Sequence, residues 1–197
     1  DYMVDESLKG YLLAHLQNIE SVEEKINLLF SQATEINPFS GYESKQIVRL
    51  IENVRVVDPA VGSGAFPMGV LNRLVFLLHK VDPNNDYWKQ EQLNAAEKIP
   101  DPRIRKETKV RIEIYFTKND NYGRKLFLIQ KCIYGVDIQQ IAVEIAKLRF
   151  FISLLVDEDI DKIMPNWGIE PLPNLDFKIM QGNSLLSEFL GVNFEIE

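Results

Sequence analysis

The sequence predicts an α/β fold built on a parallel sheet, and three observations predict it. Short β-branched runs alternate with longer helical stripes, in the order strand, helix, strand, helix, strand. Each strand ends in an acid, a glycine-bearing turn, or both. Strands separated by helices pair in parallel through right-handed crossovers, which brings those polar ends to one edge of the sheet.

The elements follow in order. Residues 1–36 read as helix: Leu8, Leu12, Leu16 and Ile19 keep helical spacing, and Ile26, Leu29 and Phe30 repeat it after Ser21. Ser21 followed by Glu24 fits a capping box. Asn37 to Gly41 is turn chemistry, and a short helix with Ile47, Leu50 and Ile51 on one side comes next. Val54 to Val57 reads as a buried strand ending in Asp58. A glycine loop, Asp58 to Gly64, then leads into an apolar helix from about Phe66 to Lys80, with Val70, Leu74, Leu77, Leu78 and Val81 inward and Pro67 tolerated in the first turn. Residues 82–130 are polar and carry Pro83, Pro100 and Pro102, and they read as an insert with some helix. Ile133 to Asp137 is the second strand, and Ile141, Ile145, Leu148, Ile152 and Leu155 mark a long helix. A loop with Trp167, Pro171 and Pro173 leads to a third strand at about Phe177 to Met180, closed by Gln181-Gly182-Asn183-Ser184. This divides the chain into an N-terminal helical segment, 1–37, and a partial sheet domain, 38–197.

Composition narrows the function classes. With 197 residues, 46% hydrophobic and 26% charged, the chain is of globular type. No apolar run reaches the ~18 residues of a membrane span, so no membrane partner is expected, and the start at Asp1 lacks a signal-peptide pattern. That start also reads as a piece excised from something longer. Cys132 is the only cysteine, which excludes an intrachain disulfide and fits a reducing, cytoplasmic setting. The net charge of −7 argues against this chain being the main grip on nucleic acid. The charge is uneven, however: Lys98 to Lys131 holds ten basic and four acidic residues, a local +6.

In an open parallel sheet, ligands sit beyond the carboxyl ends of the strands. Gly62 and Gly64 allow close approach of backbone to a ligand, and the loop feeds a helix N-terminus suited to anions. Asp137 can accept both hydroxyls of a ribose, although as a helix cap it would serve equally well. Asn183 can read an adenine edge, although turn chemistry explains it equally well. A dinucleotide site would show a third glycine, which Gly62-Ser63-Gly64-Ala65-Phe66-Pro67 lacks, and its acid about 20 residues on. A phosphate loop would end in Gly-Lys-Ser/Thr. Asp58 would be unwelcome beside pyrophosphate but tolerates an ammonium group. S-adenosylmethionine, with ammonium, carboxylate, sulfonium and ribose, fits better. A nicotinamide-dependent oxidoreductase and a non-catalytic nucleotide-binding module remain the alternatives.

These residues carry a resemblance. Asp58-Pro59-Ala60-Val61-Gly62-Ser63-Gly64-Ala65-Phe66-Pro67-Met68-Gly69 resembles motif I of DNA adenine-N6 methyltransferases, and is similar in particular to type IIG restriction–modification enzymes and related phage-defence methylases. Tyr134 to Phe150 resembles their second motif, and Pro171 to Phe177 with Gly182-Asn183-Ser184-Leu185 the segment through motif III. The resemblance covers about residues 38–190. It implies a Rossmann-like, three-layer S-adenosyl-L-methionine-dependent methyltransferase fold, present as its N-terminal half. It also implies that the Asp58, Pro59, Ala60, Gly62, Ser63, Gly64 and Phe66 stretch holds the methionine moiety, Asp137 the ribose, Ile138 the adenine face, and Asn183 with Ser184 the adenine edge. Val61 stands where many members have cysteine. A Phe-Thr-Pro-like segment upstream also touches the cofactor in this family, and Phe39-Ser40-Gly41-Tyr42 is the nearest match, departing from it.

The family's catalytic Asn/Asp-Pro-Pro-aromatic motif orients the target amine and stacks on the flipped base. This chain holds no Pro-Pro pair. No catalytic residue is therefore assigned, and the chain is expected to bind cofactor without methylating. DNA is expected to bind through other parts of the parent protein, aided by the basic insert 98–131. No metal site is expected: His15 and His79 read as ordinary helix residues and Cys132 as a buried filler. The insert's Tyr115, Phe116, Tyr122 and Phe127 read as packing rather than base stacking.

Overall fold

The computed structural model describes residues 2–118, 120–157, 174–186, 188–189 and 192–193. Trp167, Pro171 and Pro173 lie outside the described residues. The described chain is α/β, with eight helices, a three-stranded sheet and a separate two-stranded one. No helix among these residues is long and apolar enough to cross a membrane.

The N-terminal stretch forms two helices, α1 (Tyr2–His15) and α2 (Val22–Phe30), that bury Val4, Leu8 and Leu12, then Ile26, Leu29 and Phe30. The expected capping box at Ser21 does not form: Ser21 adopts a left-handed backbone (φ 52°) and its side chain caps nothing. A side-chain cap needs extended backbone at that position. The box forms instead at the start of α3 (Gly41–Asn53). There the Glu43 N–H donates to Ser40 Oγ and the Ser40 N–H to Glu43 Oε2. The turn read at 37–41 is thus also a helix start.

Strand β1 (Val56–Asp58) leads through the glycine loop into α4 (Ala65–Val81). The insert is three helices, α5 (Asp86–Glu97), α6 (Pro102–Lys118) and α7 (Asp120–Lys131). Its anchor is Arg124, fully buried. The guanidinium donates to Asn85 Oδ1 and to the carbonyls of Asp82 and Pro83, and it lies 2.8 Å from His79 Nδ1. Asp82 in turn accepts the Tyr87 and Trp88 N–H groups that open α5. Trp88 meets Phe127 edge-to-face, and Tyr122 is buried, so these aromatics pack the insert onto the domain. The side chains of Tyr115 and Phe116 are outside the described set.

Strand β2 (Ile133–Asp137), helix α8 (Gln140–Leu155) and strand β3 (Ile179–Gln181) complete the sheet. Its order is β1-β2-β3, all parallel, with Asp58 opposite Gly135 and Asp137 opposite Gln181. Strands β4 (Glu188–Phe189) and β5 (Val192–Asn193) pair antiparallel on their own. One hydrophobic cluster runs from Val4 through Leu74 and Ile133 to Ile179, so the N-terminal helices and the sheet share a core. Side chains alternate across a strand. On one sheet face Ile133 and Ile179 are buried; on the other Val57 and Met180 are exposed. On α8, Val143, Ala146, Phe150 and Leu154 face the core. Of the stripe that marks this helix in the sequence, Ile141, Ile145, Leu148 and Ile152 face outward and Leu155 is half-buried.

Candidate functional site

The carboxyl ends of β1, β2 and β3 are adjacent, so the parallel order brings all three sequence-predicted groups to one edge. The loop after β1 turns back over β2. Asp58 Oδ1 accepts the Ala60 N–H (3.0 Å), which bends the chain. The Val61 N–H then donates to the Val136 carbonyl (2.9 Å), extending the β1–β2 ladder into the loop. Gly62 (φ 52°) and Gly64 (φ 83°) take left-handed conformations that other residues adopt only with strain. At Gly64 a side chain would also meet Ala146 of α8, 3.1 Å away. At Gly62 it would meet nothing within 4 Å, so this turn of backbone faces open space. Ser63 and Phe66 are half-buried beside it, and Pro59 and Ala60 are exposed.

Asp137 ties the edge together. Its Oδ2 accepts the Gly62 N–H (2.8 Å) and its Oδ1 the Gln139 N–H (2.9 Å). These backbone donors, Gln139 first and then Gly62, hold its carboxyl below the usual aspartate range. Each oxygen keeps a lone pair for a further donor. The cap position of α8 is Gln139, whose own side chain makes no cap hydrogen bond; Asp137 stands two residues before it and holds that residue's N–H. Ile138 is 66% exposed at the same edge.

From the third strand, Ser184 Oγ donates to the Pro59 carbonyl (2.7 Å), tying β3 to the glycine loop across β2. Asn183 Oδ1 accepts the Leu185 N–H (3.0 Å), the turn chemistry that the sequence left open. The structure therefore brings together Asp58, Pro59, Ala60, Gly62, Ser63, Gly64, Phe66, Asp137, Ile138, Asn183 and Ser184. It does not bring Phe39 to Tyr42 there. Phe39 and Gly41 line a cavity of about 260 Å³ with Val81, Asp82 and Tyr87, at the far end of α4. A 17-residue helix is about 25 Å long.

Two residues of the edge escape the sequence reading. Gly135 is the floor under the loop: a Cβ there would sit 2.7 Å from Val61 Cγ2. The signal was present, since glycine inside a strand marks close backbone approach. Gln181 Nε2 donates to the Ile138 carbonyl (3.2 Å), fixing the peptide that carries Ile138.

No family model matches the chain, and no solved structure matches it. Among curated proteins, the chain is similar to one from Methanocaldococcus jannaschii named "Putative type II restriction enzyme and methyltransferase", 31% identical over 148 residues. The match takes in 73% of this chain and 10% of that protein. What the chain resembles is thus about a tenth of a protein whose name joins restriction with methyl transfer.

Proposed function

We propose that this chain is the S-adenosylmethionine-binding part of a site-specific DNA adenine-N6 methyltransferase from a restriction–modification or phage-defence system, of the type IIG kind. One observation carries the reading. Three strand ends with donors and acceptors suited to a nucleoside-bearing amino acid converge on one sheet edge, linked by Gly62 to Asp137 and Ser184 to Pro59. The similarity to a protein named for restriction and methyl transfer supports the same reading.

The edge fits the cofactor. The open backbone around Gly62, at the start of α4, suits the methionine carboxylate. Asp58 suits its ammonium group. Asp137, held anionic, is a pure acceptor for two ribose hydroxyls. Exposed Ile138 offers an apolar surface to the adenine ring, and the Asn183 amide can donate to its edge. The bound cofactor would supply the electrophilic methyl group; the chain's own task is to hold it and aim it outward.

The Rossmann-like, three-layer architecture belongs to this proposal. The sheet face that carries Ile133 and Ile179 is buried, while Val57 and Met180 on the other are exposed. Parallel sheets occur almost only with both faces covered, so a second helical layer is expected from the rest of the parent protein. DNA is expected to bind mainly there, in the cytoplasm. The insert would add interactions with the phosphate backbone through exposed Arg103, Lys106 and Arg111. Arg105 is less available, since it donates to the Ile99 and Pro100 carbonyls. Reversing the three exposed charges in the longer protein should flatten the salt dependence of DNA binding by ~0.9 for each phosphate no longer neutralised. An unchanged slope returns them to an ordinary solvated surface.

Calorimetric titration of the chain with S-adenosylhomocysteine and with NAD tests the main reading. Binding of the former alone is the expected result. Binding of NAD alone would shift the site to a nicotinamide enzyme, and binding of neither would leave only a structural module.

A further inference from the structure

We propose that the outward face of α8 is a self-association surface, on which a second copy of this chain packs with its own α8 parallel and in register. Ile141, Ile145, Leu148 and Ile152 are spaced by four, three and four residues. That is the a/d spacing of a coiled-coil seam. All four are exposed, Ile141 by 68% and Leu148 by 54%, while the opposite side of the same helix is buried in the core. A continuous apolar stripe of this kind on a surface marks an interaction site.

The flanking residues select the occupant and its direction. Glu144 lies beside the stripe on one side and Arg149 on the other, both exposed and five residues apart. In a parallel pair of identical helices, these are the positions that face each other across the seam. Glu144 of each copy then meets Arg149 of the other, twice by symmetry. One turn on, Phe151 and Val156 stand in the same relation, so an apolar pair follows the ionic one. In an antiparallel pair, flanking positions meet their own kind, and these complements disappear. Because α8 starts beside Asp137, the parallel arrangement places both candidate sites at one end of the dimer. The proposal is independent of what those sites bind.

Sedimentation velocity on the chain over about 1–100 μM should show a concentration-dependent monomer–dimer equilibrium. Leu148→Glu should be monomeric throughout with an unchanged far-UV spectrum. Glu144→Arg or Arg149→Glu alone should raise the dimer Kd about tenfold, and the two together should restore it. Ile141→Cys should form a disulfide-linked dimer on mild oxidation; native Cys132 is fully buried and does not compete. In an antiparallel pair the two introduced thiols would lie about 18 Å apart, too far to bond. A wild-type chain that stays monomeric, or a Leu148→Glu variant that still dimerises, overturns the surface. A dimer without the crosslink, or without restoration by the double reversal, overturns the parallel register.

Discussion

Asp137 holds the glycine loop from the neighbouring strand: its Oδ2 accepts the Gly62 backbone N–H at 2.8 Å. The same carboxylate is the proposed ribose acceptor, so loop shape and ligand binding depend on one group. Asp137→Ala should weaken S-adenosylhomocysteine binding by about 10- to 100-fold, the effect expected on losing hydrogen bonds to a charged acceptor. Calorimetry decides; wild-type affinity in the variant removes the ribose assignment. The pH dependence has a definite sign. Because the folded carboxyl titrates below its ordinary value, its contribution is whole above about pH 3.9 and is lost as pH falls through the folded value. Asp137→Asn should lack that acid limb in denaturation curves.

Gly135 and Val61 form the second coupled pair. Gly135→Ala would drive a methyl group into Val61, and overpacking of this sort costs about 1–3 kcal/mol. Val61→Ala removes the Cγ2 contact but keeps its Cβ 2.9 Å from the added methyl group, so it should recover only part of that loss in a double-mutant cycle by urea denaturation. Additive losses would mean that the loop does not rest on this strand.

Arg124 is expected to be the most sensitive position of the insert. Arg124→Ala would strip a donor from the buried Asn85 side chain and from the carbonyls of Asp82 and Pro83, and would empty a fully buried site. A loss of more than about 3 kcal/mol in denaturant midpoint experiments is expected. A loss under about 1 kcal/mol would make the insert a loosely attached appendage.

Glu52 predicts a base-side effect. Burial, with Glu91 and Asp82 nearby, raises its carboxyl to about 7, while a hydrogen bond from Gln92 opposes the shift. A raised acid favours the folded state while protonated, so stability should fall as pH rises from about 4.3 to 7. Glu52→Gln should remove that slope and gain about 1–2 kcal/mol at pH 8, a figure reduced for partial solvent screening. Parallel pH profiles for both proteins would refute the assignment.

The strand order and the edge residues were legible because each carries a local signal: β-branched runs, paired glycines, an acid at a strand end. Gly135 carried the general signal of a strand glycine, but spacing does not tell which neighbour such a glycine must admit. The outward direction of the Ile141–Ile152 stripe was hidden because α8 is apolar on both sides, and periodicity marks a helix without saying which side meets the core. The capping pattern at Ser21–Glu24 had a rival at Ser40–Glu43, and only backbone angles separate them. The insert resisted reading because its keystone is an arginine, a residue almost never fully buried unless paired.

Catalysis should require more chain than this. Direct transfer of a methyl group to an adenine amine needs a bound donor, an extruded base, and acceptors that turn the amine toward the sulfonium. The sheet edge supplies candidates for the first alone. No Pro-Pro pair occurs in residues 1–197. Positioning two reactants accounts for several kcal/mol of a barrier, roughly 7–11 in favourable cases. A chain that holds one reactant forfeits that contribution. Residues 1–197 should therefore show no methylation of DNA at saturating cofactor, while a longer polypeptide that adds an Asn/Asp-Pro-Pro-aromatic segment should methylate adenine at N6. Tritiated-methyl incorporation followed by nucleoside analysis, run on both, provides the check. Activity from the shorter chain would reveal a catalytic group among these residues. Methylcytosine from the longer one would remove the adenine assignment and leave the cofactor site standing.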